Sequence, residues 1–368
     1  MYDRKIPSLE YIINLSNYDI LNIKNKFDKY NSYNIPQLII DYYTNYSDMK
    51  PVQYTIKSDK KGSKTIPTLL GIGNEKINYD NIKIRDSKFV QYNEDIIDTL
   101  NFNNIETSKQ NHSLTDVVYD NGVIHVGKTD YKSRLVTSYL LMQELIKIKE
   151  INLEQHNKKD FPIRNELLQN ISDFKYPSRP MGSTSGGVII ANTNDTWKII
   201  LGKRSADTNI NRNKISMFPN GKIQYDDAVR NLFDTTLKRE FTEELFDESS
   251  NGDIFFEDYI TYKPVSAGWN LRDGDLSIGY VLIINSQIGY DMFKNILNKN
   301  NELNEIIEVP LNDITEIYNI LDIKNTSGTP IATICEALNY IDNNSLYPDL
   351  PYNINSSNNF ELINTDKY

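Results

Sequence analysis

The sequence predicts an α+β fold in which strands lie on both sides of one long helix. Two observations favour this class. Apolar residues recur at helical spacing from Val229 to Leu245, and no Pro or Gly interrupts the pattern before Gly252. Apolar runs typical of strands precede and follow this helix. The predicted strands span residues 185–191, 196–202, 255–263, 277–284 and 306–311, and two further helices span residues 290–297 and 330–341.

The composition limits the classes of protein that are possible. The chain has 368 residues, enough for more than one domain, and its single Cys excludes an internal disulfide and favours an intracellular location. No apolar run is long enough to span a membrane, so no membrane association is expected, and no stable protein partner is evident. A formal net charge of −10 argues against a generally basic nucleic-acid-binding protein, although a local basic patch can still attract phosphates.

A Pro- and Gly-containing segment at residues 176–183 is expected to divide the chain. The predicted units are a separate N-terminal accessory domain (residues 1–180), a second domain (181–345) and a polar C-terminal tail (346–368) that is expected to be disordered. The N-terminal domain is predicted to be mixed but rich in helix. Its predicted elements are short helices near residues 9–15 and 35–43, a hairpin within 117–126 and an amphipathic helix at 131–151.

Three acidic residues project from one face of the long helix, because side chains three and four residues apart lie on the same side. They are Glu240, Glu243 and Glu244. Leu237, Phe241 and Leu245 lie beside them, which predicts a half-buried helix with its carboxylates at the edge of a cleft. Two carboxylates about 5 Å apart repel by roughly 3 kcal/mol at an effective dielectric constant of about 20. Hard divalent cations such as Mg²⁺ or Mn²⁺ would relieve this repulsion.

The run Arg-Glu-Phe-Thr-Glu-Glu at residues 239–244 resembles the second half of the Nudix box, whose pattern is G-x5-E-x7-R-E-U-x-E-E-x-G-U with U apolar. The first half departs from that pattern. Gly221 lies four residues too far upstream, about one extra helical turn. Asn231 occupies the position of the first Glu, and Asp226 or Asp227 could substitute for it in the lengthened segment. Phe and Asp at residues 246–247 replace the final Gly–apolar pair.

The resemblance implies an α/β/α sandwich for residues 181–345 and hydrolysis of a nucleoside diphosphate linked to a second group. The long N-terminal region, the lengthened box and the heavy use of Asn, Ile, Lys and Tyr together resemble the viral mRNA-decapping Nudix hydrolases of poxviruses and African swine fever virus. That family implies metal-dependent cleavage of the 5′ cap, which releases 7-methyl-GDP and 5′-monophosphate RNA. Capped RNA would be the partner, and the infected cell's cytoplasm or the virion would be the location, with shutoff of host expression as the outcome.

The same resemblance assigns roles to the residues of the long helix. The acids expected around Mg²⁺ or Mn²⁺ are Glu240, Glu243 and Glu244. Glu240 or Glu243 would also act as general base towards the attacking water. Arg239 would pair with an acid and fix the helix geometry. Glu305 and Glu308 are candidates for a further acidic ligand from outside the helix.

RNA contacts would come from aromatic and basic side chains. A methylated guanine carries positive charge and stacks well on aromatic rings, for which Trp269 and Tyr280 are candidates. The basic residues expected to contact RNA form two clusters, Lys60, Lys61 and Lys64 in a turn-rich segment, and Lys203, Arg204, Arg212 and Lys214 just before the box.

Two alternative functions stay open at this stage. A Nudix pyrophosphatase for a small substrate, such as a diphosphoinositol polyphosphate, ADP-ribose or a nucleotide, would also fit an altered box. The absent first Glu would fit a Nudix-fold protein that binds RNA or a partner without turnover, although the intact Glu triplet argues against that reading.

Overall fold

The computed structural model describes part of the chain. The described residues are 51–71, 82–84, 112–114, 118–120, 123–126, 128–130, 133–134, 136–138, 140–141, 144, 164–165, 182–194, 196–205, 213–224, 232–246, 251–270, 274–297, 303–322, 324–326, 328–344, 346 and 350–357. Within these residues, no helix is long and apolar enough to cross a membrane.

The described elements after residue 182 include both strands and helices. The strands are β1 (Gln53–Ser58), β2 (Gly62–Pro67), β3 (Leu69–Gly71), β4 (Ile82–Ile84), β5 (His112–Leu114), β6 (Val118–Asp120), β7 (Val123–Val126), β8 (Lys128–Asp130), β9 (Ser183–Thr193), β10 (Thr196–Arg204), β11 (Ile215–Ser216), β12 (Asn220–Lys222), β13 (Ile260–Asn270), β14 (Leu276–Ile284), β15 (Leu303–Pro310) and β16 (Asn353–Ser357). The named helices are α1 (Leu232–Phe246), α2 (Asn251–Tyr259), α3 (Gln287–Leu297), α4 (Ile314–Ile320) and α5 (Gly328–Asn343).

An eight-stranded mixed sheet forms the centre of the molecule. Its strand order is β11-β10-β9-β14-β13-β3, with β12 paired to β9 and β15 paired to β10. Strands β9 and β10 form an antiparallel hairpin, whereas β14 runs parallel to β9. All nine residues of β14 are buried, as expected of a central strand that is covered on both faces.

Helices cover both faces of this sheet. Successive side chains of a strand point to opposite sides, so neighbouring residues of β9 meet different helices. Val188 and Val281, which are paired across β9 and β14, belong to the hydrophobic core that includes α5. The preceding residue, Gly187, faces the other way, and a Cβ added there would meet Leu237 of α1. The described residues therefore have the α/β/α layering that the sequence predicted.

Strands from the first 71 residues are part of this assembly. Strand β3 pairs with β13 at the edge of the large sheet, and β1 pairs with both β2 and β16 in a three-stranded sheet. Val52, Tyr54 and Ile66 belong to the same core as α5, and the hydroxyl of Tyr54 donates a 2.7 Å hydrogen bond to Glu336. The expectation of a separate, helix-rich N-terminal domain is therefore not supported by the described residues.

The C-terminal tail also needs correction. Residues 353–357 form β16, so the expectation of disorder from residue 346 onward is wrong for this segment. The strand forms because all five of its residues pair with β1, from Ser357↔Gln53 to Asn353↔Lys57. Such a long-range pairing satisfies the backbone of a polar segment without requiring apolar side chains.

The secondary-structure predictions agree with the structure in most of the second half of the chain. The β9–β10 hairpin, β14, α3, β15 and α5 lie where they were expected, as does the hairpin of β6 and β7. The predicted strand at 255–263 is wrong over its first half, because residues up to Tyr259 are helical. Burial of Phe256 edge-on against Phe241, at 5.0 Å between ring centroids, favours the helix over the β-propensity of these residues. The described residues between 133 and 144 are helical, whereas the helices expected at 9–15 and 35–43 lie outside the described residues.

Candidate active site

Helix α1 presents its acidic face beside β12, because its apolar side is packed on the sheet. The buried side chains are Leu232, Phe233, Leu237, Phe241 and Leu245, each at most 5 % exposed. Ser185 on β9 donates a 2.8 Å hydrogen bond to the backbone carbonyl of Phe233, and Tyr280 on β14 donates one of 2.7 Å to Asp234. These bonds attach the first turn of α1 to two neighbouring strands.

Gly221 lies directly against the carboxylate of Glu240. A Cβ at this position would overlap the Glu240 carboxyl group, so only glycine fits without displacing that side chain. Gly221 is held in β12 by its pairing with Ser185 of β9. The four extra residues that separate Gly221 from the box therefore do not prevent the contact. They belong to the connection between β12 and α1, where residues 225–231, including Asp226, Asp227 and Asn231, lie outside the described residues.

Arg239 connects two of the three acids to β12. Its Nη1 donates hydrogen bonds to Glu240 Oε1 at 2.6 Å and to Glu243 Oε2 at 3.0 Å. Its Nη2 donates to the backbone carbonyl of Lys222 at 2.9 Å. A planar guanidinium can make these contacts together, whereas a lysine ammonium would lack the fixed fork geometry. The arginine therefore orients both carboxylates relative to the strand that carries Gly221.

The three acids differ in exposure. The Glu240 side chain is 13 % exposed and that of Glu243 is 47 % exposed. Glu244 is half-buried, and its Oε2 accepts a 3.3 Å hydrogen bond from the backbone N–H of Asn220 on β12. The acidic face thus runs from the partly buried strand β12 outward to solvent.

The carboxylates do not form a preassembled metal site. Within the part of the chain that the structure describes, no three His, Cys, Asp or Glu side chains converge as metal ligands. The donor set nevertheless fits Mg²⁺ or Mn²⁺, because it consists of carboxylate oxygens on one helix face. Because Gly221 has no side chain, the Glu240 carboxylate itself occupies the volume that a Cβ at this position would fill.

The two acids expected to supply a further ligand have other partners. Glu305 forms a 3.1 Å ion pair with Lys203. Glu308 binds Lys198 at 3.2 Å and Lys294 at 2.8 Å, and the hydroxyl of Tyr290 donates to it at 2.6 Å. Burial alone would raise the pKa of Glu308, but these hydrogen bonds outweigh it and hold the pKa below its usual range. The expectation of a metal ligand from β15 is therefore not supported.

The two aromatic candidates for cap stacking are both buried. Tyr280 is 0 % exposed and Trp269 is 7 % exposed, so neither offers an open ring face to a ligand. Tyr280 packs beside Tyr262, with ring centroids 6.2 Å apart, and its hydroxyl binds Asp234. Burial of both rings argues against stacking on a methylated guanine, and a role of these residues in cap recognition stays a prediction. For Tyr280, the hydrogen bond places it as a support for α1.

The basic candidates for RNA contact are not all available to a ligand. Lys60 and Lys61 are exposed in the turn between β1 and β2, whereas Lys64 forms a 3.1 Å ion pair with Asp322. Lys203 is paired with Glu305 as described above. Arg204 is the last residue of β10, and Lys214 immediately precedes β11. The backbone N–H of Arg204 donates a 3.1 Å hydrogen bond to the carbonyl of Lys214. Arg212 lies outside the described residues, and RNA binding by this set stays a prediction.

Sequence reasoning missed a buried charge cluster behind β12. Asp275, which immediately precedes β14, accepts hydrogen bonds from Lys222 and from Arg134. The side chains of Asp275 and Arg134 are 5 % and 4 % exposed. These residues are far apart in sequence and belong to no local motif, so no periodicity or spacing could have indicated that they meet.

No family model and no curated protein matches this chain. Solved structures with some similarity include a mutT/nudix family protein from Listeria innocua, at 17 % identity over 45 % of this chain and 98 % of that chain, with a TM-score of 0.32. The Nudix domain of Shewanella oneidensis NrtR, complexed with ADP ribose, is 12 % identical over 43 % of this chain and 86 % of that chain, with a TM-score of 0.29.

A bifunctional NMN adenylyltransferase/ADP ribose pyrophosphatase from Francisella tularensis is 14 % identical over 59 % of this chain and 63 % of that chain, with a TM-score of 0.30. The structural neighbours thus include Nudix proteins.

Proposed function

We propose that this protein is a Nudix hydrolase that uses Mg²⁺ or Mn²⁺ to cleave a diphosphate linkage in a nucleotide-containing substrate. The observation that carries the proposal is the contact of Glu240 with Gly221, together with the hydrogen bonds from Arg239 to Glu240 and Glu243. This arrangement brings two carboxylates to one guanidinium group and seats the Glu240 carboxylate against the backbone of Gly221. Acids in such a position are suited to hold divalent cations at a phosphate group.

The roles of the side chains follow from their positions. Glu240, Glu243 and Glu244 would hold the metal, which would neutralise phosphate charge and lower the pKa of a bound water. Glu240 or Glu243 would accept the proton of the water that attacks phosphorus. Arg239 would keep both carboxylates oriented towards β12 throughout the reaction. The water's oxygen would form the new bond to phosphorus while the bond from that phosphorus to the bridging oxygen breaks, and the bridging oxygen would leave on the other phosphate-bearing product.

Within this class we propose capped mRNA as the substrate, with 7-methyl-GDP and 5′-monophosphate RNA as products. The resemblance to the viral decapping enzymes supports this choice, and it rests on the long N-terminal region, the lengthened box and the residue usage together. Lys60 and Lys61 support it as well, because they are exposed in the β1–β2 turn and could contact an RNA backbone. Long RNA gains affinity from many phosphate contacts, which would make binding strongly dependent on salt.

A small-substrate pyrophosphatase is the second candidate. It is favoured by the burial of Trp269 and Tyr280, which removes the two aromatic platforms that were expected to recognise a methylated guanine. ADP-ribose, a diphosphoinositol polyphosphate or a free nucleotide would not require such a platform from these residues.

Incubation of the full-length chain with Mg²⁺ or Mn²⁺ separates the candidates. The substrates are cap-labelled RNA, free cap analogue, ADP-ribose, diphosphoinositol polyphosphate and nucleoside triphosphates, with E244Q as the matched control. Release of 7-methyl-GDP from long RNA, with free cap cleaved poorly, is the expected result. Preferential cleavage of a small substrate would support the second candidate. Binding of RNA without turnover of any substrate would show a non-catalytic protein.

A further inference from the structure

We infer that Asp275 is a positioning residue for the acidic face of α1, and that it acts through Lys222 and Arg239. This inference rests on the proposed function, because its consequence is a change in metal binding and turnover. Asp275 touches none of the three acids in the described contacts. Its effect would reach them through two consecutive contacts, one to a side chain and one to a backbone carbonyl.

The first contact fixes Lys222 at the end of β12. Asp275 Oδ2 accepts a hydrogen bond from Lys222 Nζ, and Oδ1 accepts one of 2.9 Å from the backbone N–H of Gly182. Arg134 approaches the same carboxylate from the N-terminal half, with Nε 2.9 Å from Oδ2. Asp275 therefore joins β12 to the starts of β9 and β14.

The backbone around Lys222 is held at the same place. Lys222 pairs with Thr184 of β9, and the next residue, Ile223, donates a 3.1 Å hydrogen bond to the carbonyl of Ser183. Leu276, next to Asp275, donates a 3.1 Å hydrogen bond to the carbonyl of Gly182. The side-chain bridge and these backbone bonds together set the position of the Lys222 carbonyl.

The second contact transmits that position to the acids. The Lys222 carbonyl accepts the 2.9 Å hydrogen bond from Arg239 Nη2, and the other end of the same guanidinium holds Glu240 and Glu243. Because the guanidinium is rigid and planar, a displacement of the carbonyl moves both carboxylates together. Partners of this kind behind metal-binding side chains commonly change metal affinity or activity by about 10–100-fold when they are removed.

An ion pair elsewhere in the sheet provides a matched control. Lys198 on β10 pairs with Glu308, and its side chain is 27 % exposed, compared with 24 % for Lys222. Lys198 binds a carboxylate on the neighbouring strand β15, and Lys222 binds one at the start of β14. The described contacts of Lys198 and Glu308 involve none of the three acids on α1, so loss of this pair tests the effect of removing a lysine alone.

The test compares K222M with K198M in the full-length chain. K222M leaves the buried pair of Asp275 and Arg134 intact, so it perturbs folding less than D275N. The readouts are Mn²⁺ affinity by electron paramagnetic resonance, kcat and KM on the best substrate, and the thermal midpoint. K222M is expected to weaken Mn²⁺ binding and lower kcat by about tenfold or more, with KM nearly unchanged. K198M is expected to keep Mn²⁺ affinity and kcat within about twofold of the wild type.

Two further variants separate positioning from general stability. K222R retains a cation towards Asp275 and is expected to recover most of the lost kcat, while D275N is expected to change kcat and Mn²⁺ affinity in the same direction as K222M. Equal kcat and Mn²⁺ affinity in K222M and K198M, with an active wild type, would overturn the inference even if D275N failed to fold. A wild-type chain that neither binds Mn²⁺ nor hydrolyses any substrate would overturn the proposed function and this inference with it.

Discussion

Two regions of the molecule combine carboxylates with cationic side chains, and they do so in opposite proportions. On α1, the single arginine Arg239 contacts both Glu240 and Glu243. On β15, the single carboxylate of Glu308 contacts both Lys198 and Lys294. Among the described ion pairs, the first arrangement has two acids for one cation, whereas the second has two cations for one acid. The ratio of acids to cations therefore distinguishes a candidate metal site from a structural ion-pair cluster. Both regions contain glutamates that the sequence offered as metal ligands.

The largest expected effect comes from neutralising the acids of α1. E243Q or E244Q keeps the side-chain shape but removes the charge that would hold a cation, so turnover should fall by about a hundredfold or more. The circular dichroism spectrum should stay unchanged. E308Q is the matched change on β15 and should leave turnover within about threefold, since its partners are structural. Near wild-type turnover in both E243Q and E244Q would place the site elsewhere.

A smaller effect is expected from adding a side chain at Gly221, where it would meet the Glu240 carboxylate. In G221A the new methyl group overlaps the Glu240 carboxylate, and relieving such overpacking typically costs about 1–3 kcal/mol. Displacement of this carboxylate should reduce turnover by about tenfold. The control is G202A on β10, where the added Cβ would lie 2.8 Å from the end of the flexible Leu303 side chain. Steady-state assays that show equal activity in both variants would mean that the position of Glu240 is unimportant.

Two tyrosines offer a third comparison between the regions. Tyr280 donates to Asp234 at the start of α1, and Tyr290 donates to Glu308 beside β15. Loss of a hydrogen bond to a charged acceptor costs about 1.5–3 kcal/mol, so Y280F and Y290F should both lower the urea midpoint. Only Y280F should also reduce turnover, by about two- to fivefold, because it loosens the helix that carries the acids. A similar loss of turnover in Y290F would remove the functional distinction between the regions.

The charge cluster of Asp275, Arg134 and Lys222 predicts that the folded state becomes slightly less stable at acidic pH. Burial alone would raise the pKa of Asp275, but the charges of Arg134 and Lys222 and their hydrogen bonds outweigh it and hold the pKa well below its usual range. Because the folded-state pKa is the lower one, this stabilisation is present above the unfolded-state pKa of about 3.9 and is lost as the pH falls below it.

One titrating group changes the slope of unfolding free energy against pH by at most about 1.4 kcal/mol per pH unit. Urea unfolding between about pH 5 and pH 3 should therefore show a steeper decline in the wild type than in D275N. Parallel declines in the two proteins would mean that Asp275 does not hold a lowered pKa in the folded state.

The local features of the site were predictable from the sequence. Helical spacing identified the buried side of α1, including Leu237 and Phe241, and the same spacing placed the three acids on one face. The hairpin of β9 and β10 and the helix α5 were predictable for the same reason, since each depends on neighbouring residues and on a simple period.

The features that were missed depend on contacts between distant parts of the chain. Gly221 meets Glu240 only because β12 pairs with β9, and no count of residues within the box reveals that pairing. Tyr280 was expected to face a ligand, but its strand is central in the sheet and covered on both faces. The pairing of β16 with β1 joins residues from opposite ends of the chain. Topology decides each of these outcomes, and topology has no local signature in the sequence.

Direct Mn²⁺ titration of the full-length chain, followed by electron paramagnetic resonance, tests most directly whether the acidic face of α1 binds divalent cations. The wild type should bind Mn²⁺, and E308Q should bind it equally well. E244Q should bind Mn²⁺ about tenfold more weakly or worse, because a carboxylate oxygen donor is lost. Wild-type affinity in E244Q and E243Q, or an equal loss in E308Q, would contradict the assignment of the metal site to α1.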